Sequence, residues 1–178
     1  ILHVGCSTGQ EVYSLAIMLK ETGLYKKTQI YATDFNDSVL RMAENGIYPI
    51  DYIKDYTSNY QQAGDQHSFS DYYESDDYNV ILDPALREKI VFANHNLVTD
   101  GVFGDIHLIL GRNVLIYFNK KLQNRVFRLF KDSLHRGGIL CLGSKETLKY
   151  ADVDQDFETL SEEYKIYRLK YSAGKDES

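Results

Sequence analysis

Cysteine is scarce in this chain, with two residues in 178. Cys6 and Cys141 fall where a buried strand or turn is expected, so they read as reduced thiols of a cytoplasmic protein and not as a disulfide. Also missing is any apolar run near the roughly 20 residues needed to cross a bilayer, and no signal peptide is visible; no membrane insertion is expected. An excess of positive charge is lacking as well. Twenty Lys and Arg against 26 Asp and Glu leave a formal net charge of −6, which argues against a general nucleic-acid binder.

What is present is ordinary for a globular domain: 43% hydrophobic and 26% charged residues, in a length that allows one sizeable core. The chain starts at Ile1, without Met and inside an expected strand, so an upstream piece is expected to have been removed. A monomer is expected.

The chain is organised around its first nineteen residues. Ile1 to Val4 reads as a short buried strand, Gly5-Cys6-Ser7-Thr8-Gly9 as a tight turn, and Gln10 to Lys20 as a helix with Val12, Leu15, Ala16 and Leu19 on one face. Strand, glycine turn and helix open a nucleotide-binding α/β unit, because glycine admits a ligand close to the backbone and the helix start offers N–H groups. The spacing is not GxGxxG. It does match G-x-S-x-G, the nucleophile elbow of serine hydrolases.

Further strands are expected at Gln29–Thr33, Lys89–Ala93, Ile106–Leu110 and Ile139–Gly143. A helix capped by Asn36 or Asp37 should end at Gly46. A longer one, capped by Asn119 and facing inward through Leu122, Val126, Leu129 and Phe130, should run to Leu134 and stop at Arg136-Gly137-Gly138. Phe157–Leu160 and Tyr164–Leu169 suggest a closing hairpin. Alternation of strand and helix implies a parallel sheet. Between Ile50 and Asp83 helical apolar periodicity is missing. Seven tyrosines lie between Tyr48 and Tyr78, and eight acidic residues (Asp51, Asp55, Asp65, Asp71, Glu74, Asp76, Asp77 and Asp83) face the single basic Lys54. This reads as an inserted β-hairpin subdomain, either a solvated acidic loop or a docking surface.

Ligands of open parallel sheets bind past the carboxyl ends of the strands. Gly5 to Glu11, Asp34-Phe35, His95-Asn96-Leu97 and Gly111-Arg112-Asn113 are expected there, lining one crevice. Asp34 suits the two hydroxyls of a ribose, or else it introduces the following helix. Glu11 completes a Thr8-x-x-Glu11 capping box, or else it faces the crevice and meets a ligand ammonium. Asn96 reads an adenine edge or satisfies a loop. Arg112, directly after a buried strand, binds a carboxylate through its guanidinium fork or forms a structural ion pair. Tyr117 offers a hydroxyl to the same place or packs as a core aromatic.

Gly5-Cys6-Ser7-Thr8-Gly9-Gln10-Glu11-Val12-Tyr13-Ser14, Ala32-Thr33-Asp34, Asn45-Gly46-Ile47-Tyr48, Asn96-Leu97 and Arg112-Asn113-Val114-Leu115-Ile116-Tyr117-Phe118 occur in this order. Together they resemble the catalytic domain of CheR-type chemotaxis receptor methyltransferases, over nearly the whole chain. The resemblance implies a Rossmann-like class I methyltransferase sheet, with a small inserted antiparallel β-subdomain at about residues 50–88 and a C-terminal β-hairpin. It implies methylation of glutamate carboxylates on chemoreceptors or related signalling proteins, from S-adenosylmethionine, leaving S-adenosylhomocysteine and a methyl ester. Glu11, Asp34, Asn96, Leu97, Arg112 and Asn113, with Gly5 and Ser7 of the turn, would bind the cofactor. Arg112 and Tyr117 would lie beside the transferred methyl, no metal would take part, and the inserted subdomain, which holds a receptor tail in some members, would dock the partner. The family's N-terminal helical domain is not seen in this sequence. Gly111 stands where cysteine is usual, and Gly143-Ser144-Lys145-Glu146 replaces Gly-His-Ser-Glu.

The implied chemistry needs no general base. A sulfonium methyl is already activated, and a glutamate of ordinary pKa about 4.3 is already ionised. Orientation of the pair can supply ~7 kcal/mol or more. Two rival readings stand beside it. One is a binding module that keeps the pocket without turnover. The other is a serine hydrolase using Ser7, for which His95, His107 and His135 are the available histidines, none well placed after a late strand.

Overall fold

The computed structural model describes residues 1–64 and 67–171. Asp65, one of the acidic residues of the insertion, lies outside them. In chain order the elements are β1 (Leu2–Val4), α1 (Gln10–Glu21), β2 (Ile30–Asp34), α2 (Asp37–Asn45), β3 (Ile47–Pro49), α3 (Ile53–Gln62), β4 (Tyr73–Ser75) and β5 (Asn79–Leu82). They continue with β6 (Ile90–Asn94), β7 (Ile106–Gly111), α4 (Lys120–Ser133), β8 (Leu134–Leu142), β9 (Phe157–Ser161) and β10 (Ile166–Leu169). The fold is mixed α/β, with a mostly parallel seven-stranded sheet and a separate three-stranded antiparallel one. The chain forms two compact units, one of Ile1–Gly5 with everything from His95 onward, the other of Cys6–Asn94.

In the first unit β1 runs parallel to β7, with Leu2 beside Ile109 and His3 beside Leu110. β7 is parallel to β8, and β10 and β9 follow antiparallel, forming the expected hairpin. Buried Leu2, Val4, Ile109, Leu140 and Leu142 of the strands share one core with Val126, Phe127 and Phe130 of α4. Asn119 caps α4 as expected, its Oδ1 accepting from Leu122 N at 3.0 Å. The inward face differs from expectation: Phe127 is buried, while Leu122 and Leu129 are half-buried. The helix also passes straight into β8 at Leu134, so Arg136-Gly137-Gly138 lies inside a strand and not at a stop. The reason is a pairing irregularity between Ile106 and Leu108, which glycine makes affordable there. Gly137 takes φ +79°, and a Cβ on Gly138 would sit 2.7 Å from the His135 carbonyl oxygen.

In the second unit β2 and β6 pair in parallel from Ile30–Ile90 to Asp34–Asn94. α1 buries Val12, Tyr13, Leu15, Ala16, Ile17 and Leu19. Asn36 caps α2 by accepting from Ser38 N at 2.9 Å, and Gly46 ends it in the left-handed region at φ 64°. The inserted hairpin is present, with β5 between β3 and β4, and its first strand begins at Tyr73, since Phe69–Tyr72 forms a helical turn. Helix α3 was not expected. Its stripe is made of Tyr52, Tyr56 and Tyr60 at i, i+4 spacing, an apolar face written in tyrosine.

Those rings are internal ties. Tyr48 packs edge-on against both Tyr13 and Tyr56, and Tyr60 meets Phe69 and Tyr72. Three buried hydroxyls of this unit find acceptors: Tyr13 donates to Ala43 O at 2.7 Å, Tyr48 to Thr8 O at 2.7 Å and Tyr25 to Leu86 O at 2.6 Å. Tyr60 and Tyr72 both donate to the Glu21 carboxylate of α1. Burial raises the phenol pKa of Tyr25, Tyr48 and Tyr72, and pushes Tyr13 from the ordinary 10.0 up to about 12.

A phenol held protonated in the fold ionises first in the unfolded chain. Between pH 10 and 12 the unfolded state therefore binds fewer protons, and stability falls as pH rises, by about 1.4 kcal/mol per pH unit for each such proton. Thermal melts from neutral pH into this window should show that decline with tyrosinate absorbance appearing at the transition, and Tyr13→Phe should flatten the slope.

Candidate functional site

The turn after β1 is built on left-handed backbone: Gly5, Ser7 and Gly9 have φ of 64°, 50° and 91°. Gly9 occupies the N-cap of α1, and Thr8 Oγ1 donates to Gln10 Oε1 at 2.6 Å. The capping box proposed for Thr8 and Glu11 is therefore not formed, because the left-handed glycine takes the place the threonine would need. Glu11 sits half-buried in the first turn, where a carboxylate suits the helix dipole. Ser7 is exposed, and its N–H donates to Asp34 Oδ2 at 3.0 Å. Asn36 N–H donates to Asp34 Oδ1 at 3.0 Å. The structure thus brings Ser7 and Asp34 together, and fixes the carboxylate at the end of β2 from both sides. Asp34 introduces α2 through its bond from Asn36 N–H, as the helix-entry reading expects. Cys6 lies beneath, its thiol pushed up to about 12 by burial and by Asp34, and it is an inert packing group.

In the other unit, β1 and β7 are parallel neighbours and Gly5 and Arg112 follow their carboxyl ends. A Cβ on Gly5 would lie 2.5 Å from Val114 Cγ2, so glycine lets the 112–118 loop close over the strand end. Arg112 and Asn113 are exposed, and Asn113 is left-handed at φ 60°. Leu115 is buried, whereas Tyr117 is 81% exposed and is not a core aromatic.

The loop is gripped from two directions. Glu146, only 5% exposed, accepts from Val114 N at 2.8 Å and Leu115 N at 2.7 Å through Oε1, and from Asn113 N at 3.0 Å and Gly143 N at 2.6 Å through Oε2. Gln123 of α4 donates to Leu115 O at 3.0 Å and Phe118 O at 3.1 Å. Neither residue was singled out as functional from sequence. Glu146 had been noticed only as the end of a variant Gly-x-x-Glu stretch, and that stretch was the available signal.

Asn96 and Leu97 follow β6 in the chain. Asn96 Oδ1 accepts from Val98 N at 2.9 Å, and its N–H donates to Asp100 Oδ2 at 2.8 Å, which holds the exposed Asp100 below the usual carboxylate range. The carbonyl end of the amide thus serves the local turn, as the loop reading expected. Leu97 is buried in the core. His95 lies against Phe103, and His107 and His135 stack near the starts of β7 and β8, at the opposite strand ends from Arg112. Among the described residues no cluster of metal ligands occurs. No helix among them is long and apolar enough to cross a membrane.

Comparison with known proteins decides the family. The model described as CheR methyltransferase, SAM binding domain, matches residues 1–166. The chain belongs to the CheR methyltransferase family. A Pseudomonas putida protein named Cher3 is 47% identical over 164 residues, 92% of this chain and 60% of its own length. Proteins named chemotaxis protein methyltransferase from Listeria innocua and Borreliella burgdorferi are 36% and 32% identical, covering 83% and 84% of this chain and 53% and 52% of their own lengths. This CheR-family domain thus spans between about half and three fifths of these curated relatives. The CMeT domain of the citrinin polyketide synthase matches 80% of it and 27% of that chain, with TM-score 0.50 and 16% identity, a likeness of fold alone.

S-adenosylmethionine is the cofactor of the CheR SAM-binding domain. The residues present fit it: an anchored carboxylate at the end of β2 adjoins a glycine turn and an N-cap that no side chain fills. The glycine at position 111 has a local reason, since a Cβ there would meet the Phe130 ring at 3.0 Å.

Gly5→Ala in this CheR domain should cost about 1–3 kcal/mol, from left-handed strain and the Val114 contact. In a Val114→Ala background the penalty should shrink by about 1 kcal/mol while the strain persists, a coupling that a double-mutant cycle of denaturant melts measures.

Proposed function

We propose that this chain carries the methyl-transfer site of a protein-glutamate O-methyltransferase, acting on carboxylates of a chemoreceptor or related signalling protein. The observation that carries the proposal is the clamped loop after β7, which is rigid in backbone yet leaves Arg112 and Tyr117 exposed at the strand end. When bound, the cofactor supplies a methyl group on a sulfonium sulfur. The chain's own residues hold and orient. The Asp34 carboxylate accepts from the ribose hydroxyls, Ser7 and the Gly5 turn admit the cofactor close to the backbone, and Glu11 meets its ammonium group. Asn96 offers its amide nitrogen, and Leu97 its backbone, to the base. Asn113 presents its backbone carbonyl, its N–H being held by Glu146, and Arg112 serves both cofactor and substrate.

The guanidinium fork of Arg112 fixes one oxygen of the substrate carboxylate through charge-assisted bonds while the other faces the methyl. Tyr117 closes over the same carboxylate. No proton need be removed, since the substrate carboxylate is already ionised. The inserted subdomain completes the reading as a docking surface for the partner. Ile47 and Ile81 pair across β3 and β5 with both side chains exposed, and Tyr78 stands out at the turn. A cytoplasmic monomer suits such a role.

The proposal is tested by transfer of labelled methyl to a soluble chemoreceptor fragment, scored as base-labile methanol. Arg112→Lys and Tyr117→Phe should lower kcat far more than they weaken S-adenosylhomocysteine binding, because they act chiefly in the transition state and lysine lacks the fork. Cofactor binding without turnover by the parent protein points instead to a non-catalytic module. Asp34→Ala should weaken S-adenosylhomocysteine binding by about 1–3 kcal/mol, roughly 5–150-fold, in calorimetry.

A further inference from the structure

The 112–118 segment has an irregular backbone, and something must hold it. Its N–H groups at Asn113, Val114 and Leu115 point to one place, and the buried carboxylate of Glu146 fills it. The fourth donor is Gly143 N–H, three residues before Glu146 itself, and Glu146 N–H returns a bond to Gly143 O at 2.9 Å. The 143–146 turn is thereby closed on itself and on the loop at once. Nothing larger than glycine fits at its start: a Cβ on Gly143 would lie 2.8 Å from Glu146 Oε2 and 2.9 Å from Asn113 N.

Both carboxylate oxygens are needed, since each takes two N–H donors. Glutamine would keep the size and lose the match, because its NH2 end would face two N–H groups whichever way the amide lay. Asn113 bears the geometric burden, for it is the left-handed residue joining Arg112 to the gripped stretch.

We infer that Glu146 is a positioning residue for methyl transfer: it touches neither cofactor nor substrate, and sets where Arg112 and Tyr117 stand by holding the loop backbone between them. Resting on the reading of Arg112 and Tyr117 given above, this assigns Gly143 and Glu146 a part in turnover. Orientation errors of a small fraction of a bond length at a transfer site weigh on kcat more than on cofactor affinity, which many other contacts support.

The experiment uses the full chain with a soluble chemoreceptor fragment as methyl acceptor. Three properties are compared across the parent, Glu146→Gln, Gly143→Ala and Arg112→Lys: kcat, S-adenosylhomocysteine Kd, and amide exchange at Asn113, Val114 and Leu115. In Glu146→Gln these three amides should exchange faster, and kcat should fall at least about tenfold more than Kd rises. Gly143→Ala retains the carboxylate but pushes it off the loop, and should give the same split in a milder form. Unchanged amide exchange in Glu146→Gln overturns the clamp. A matched loss of kcat, Kd and melting temperature in both variants overturns positioning in favour of a merely structural role. Parent-level kcat in Glu146→Gln beside a collapsed kcat in Arg112→Lys overturns the positioning role alone, whereas parent-level kcat in Arg112→Lys overturns the underlying assignment of Arg112 and this inference with it.

Discussion

One buried carboxylate against four backbone N–H groups sets the geometry on which the β7 end of the molecule depends. Irregular loops at strand ends are costly inside a protein, because their amides need partners that neither helix nor sheet provides. Glu146 supplies acceptors to three consecutive amides, and Gln123 supplies donors to the carbonyls that follow. Between them the backbone from Asn113 to Phe118 is pinned on both its donor and acceptor sides. The side chains at 112 and 117 are exposed on this pinned backbone, an arrangement in which a loop is supported by a rigid scaffold.

The inserted segment follows a similar logic with other means. Three of its acidic residues are occupied by local turns. Asp76 accepts from Tyr78 N and Asn79 N, which lowers its pKa, and Asp83 caps the turn at Ala85 while pairing with Lys20. Asp71 closes a capping box with Ser68. Its tyrosines face inward to Tyr13 and Glu21 of α1. Much of the composition that suggests a sticky surface is spent on holding the subdomain to its own unit, and the exposed remainder is narrow: Ile47, Ile81, Tyr52 and Tyr78.

The strands, α1, α2 and both hairpins were legible because they rest on local signals: alternating or continuous apolar runs, an Asn N-cap, a Gly C-cap. Helix α3 was not, because Tyr52, Tyr56 and Tyr60 count as polar-leaning residues in a search for aliphatic periodicity, although Tyr56 and Tyr60 are half-buried against neighbouring rings. The misplaced stop after α4 has a different origin. Two adjacent glycines read as a terminator in sequence, yet long-range pairing of β8 with β7 overrode that local preference and used them for an irregularity inside the strand. Ser7 and Asp34 were singled out from position rules, and the structure joins them by a hydrogen bond. Thr8 and Glu11 matched a capping pattern that lost to a left-handed glycine one residue on. Glu146 was out of reach, since its meaning lies in amides some thirty residues earlier in the chain, and no spacing rule links them.

The anchoring of Asp34 bears on ligand selection. Each carboxylate oxygen has two acceptor directions, and the scaffold takes one of each through Ser7 and Asn36. That leaves one direction per oxygen, so on the proposed ribose reading a vicinal diol can donate twice without the carboxylate losing any rotational freedom it still had. A sugar carrying a phosphate on either hydroxyl would instead bring an anion against an anion that cannot turn away. On the proposed ribose reading, the same two amides that hold the aspartate still make it a filter against phosphorylated nucleosides as well as a seat for plain ones.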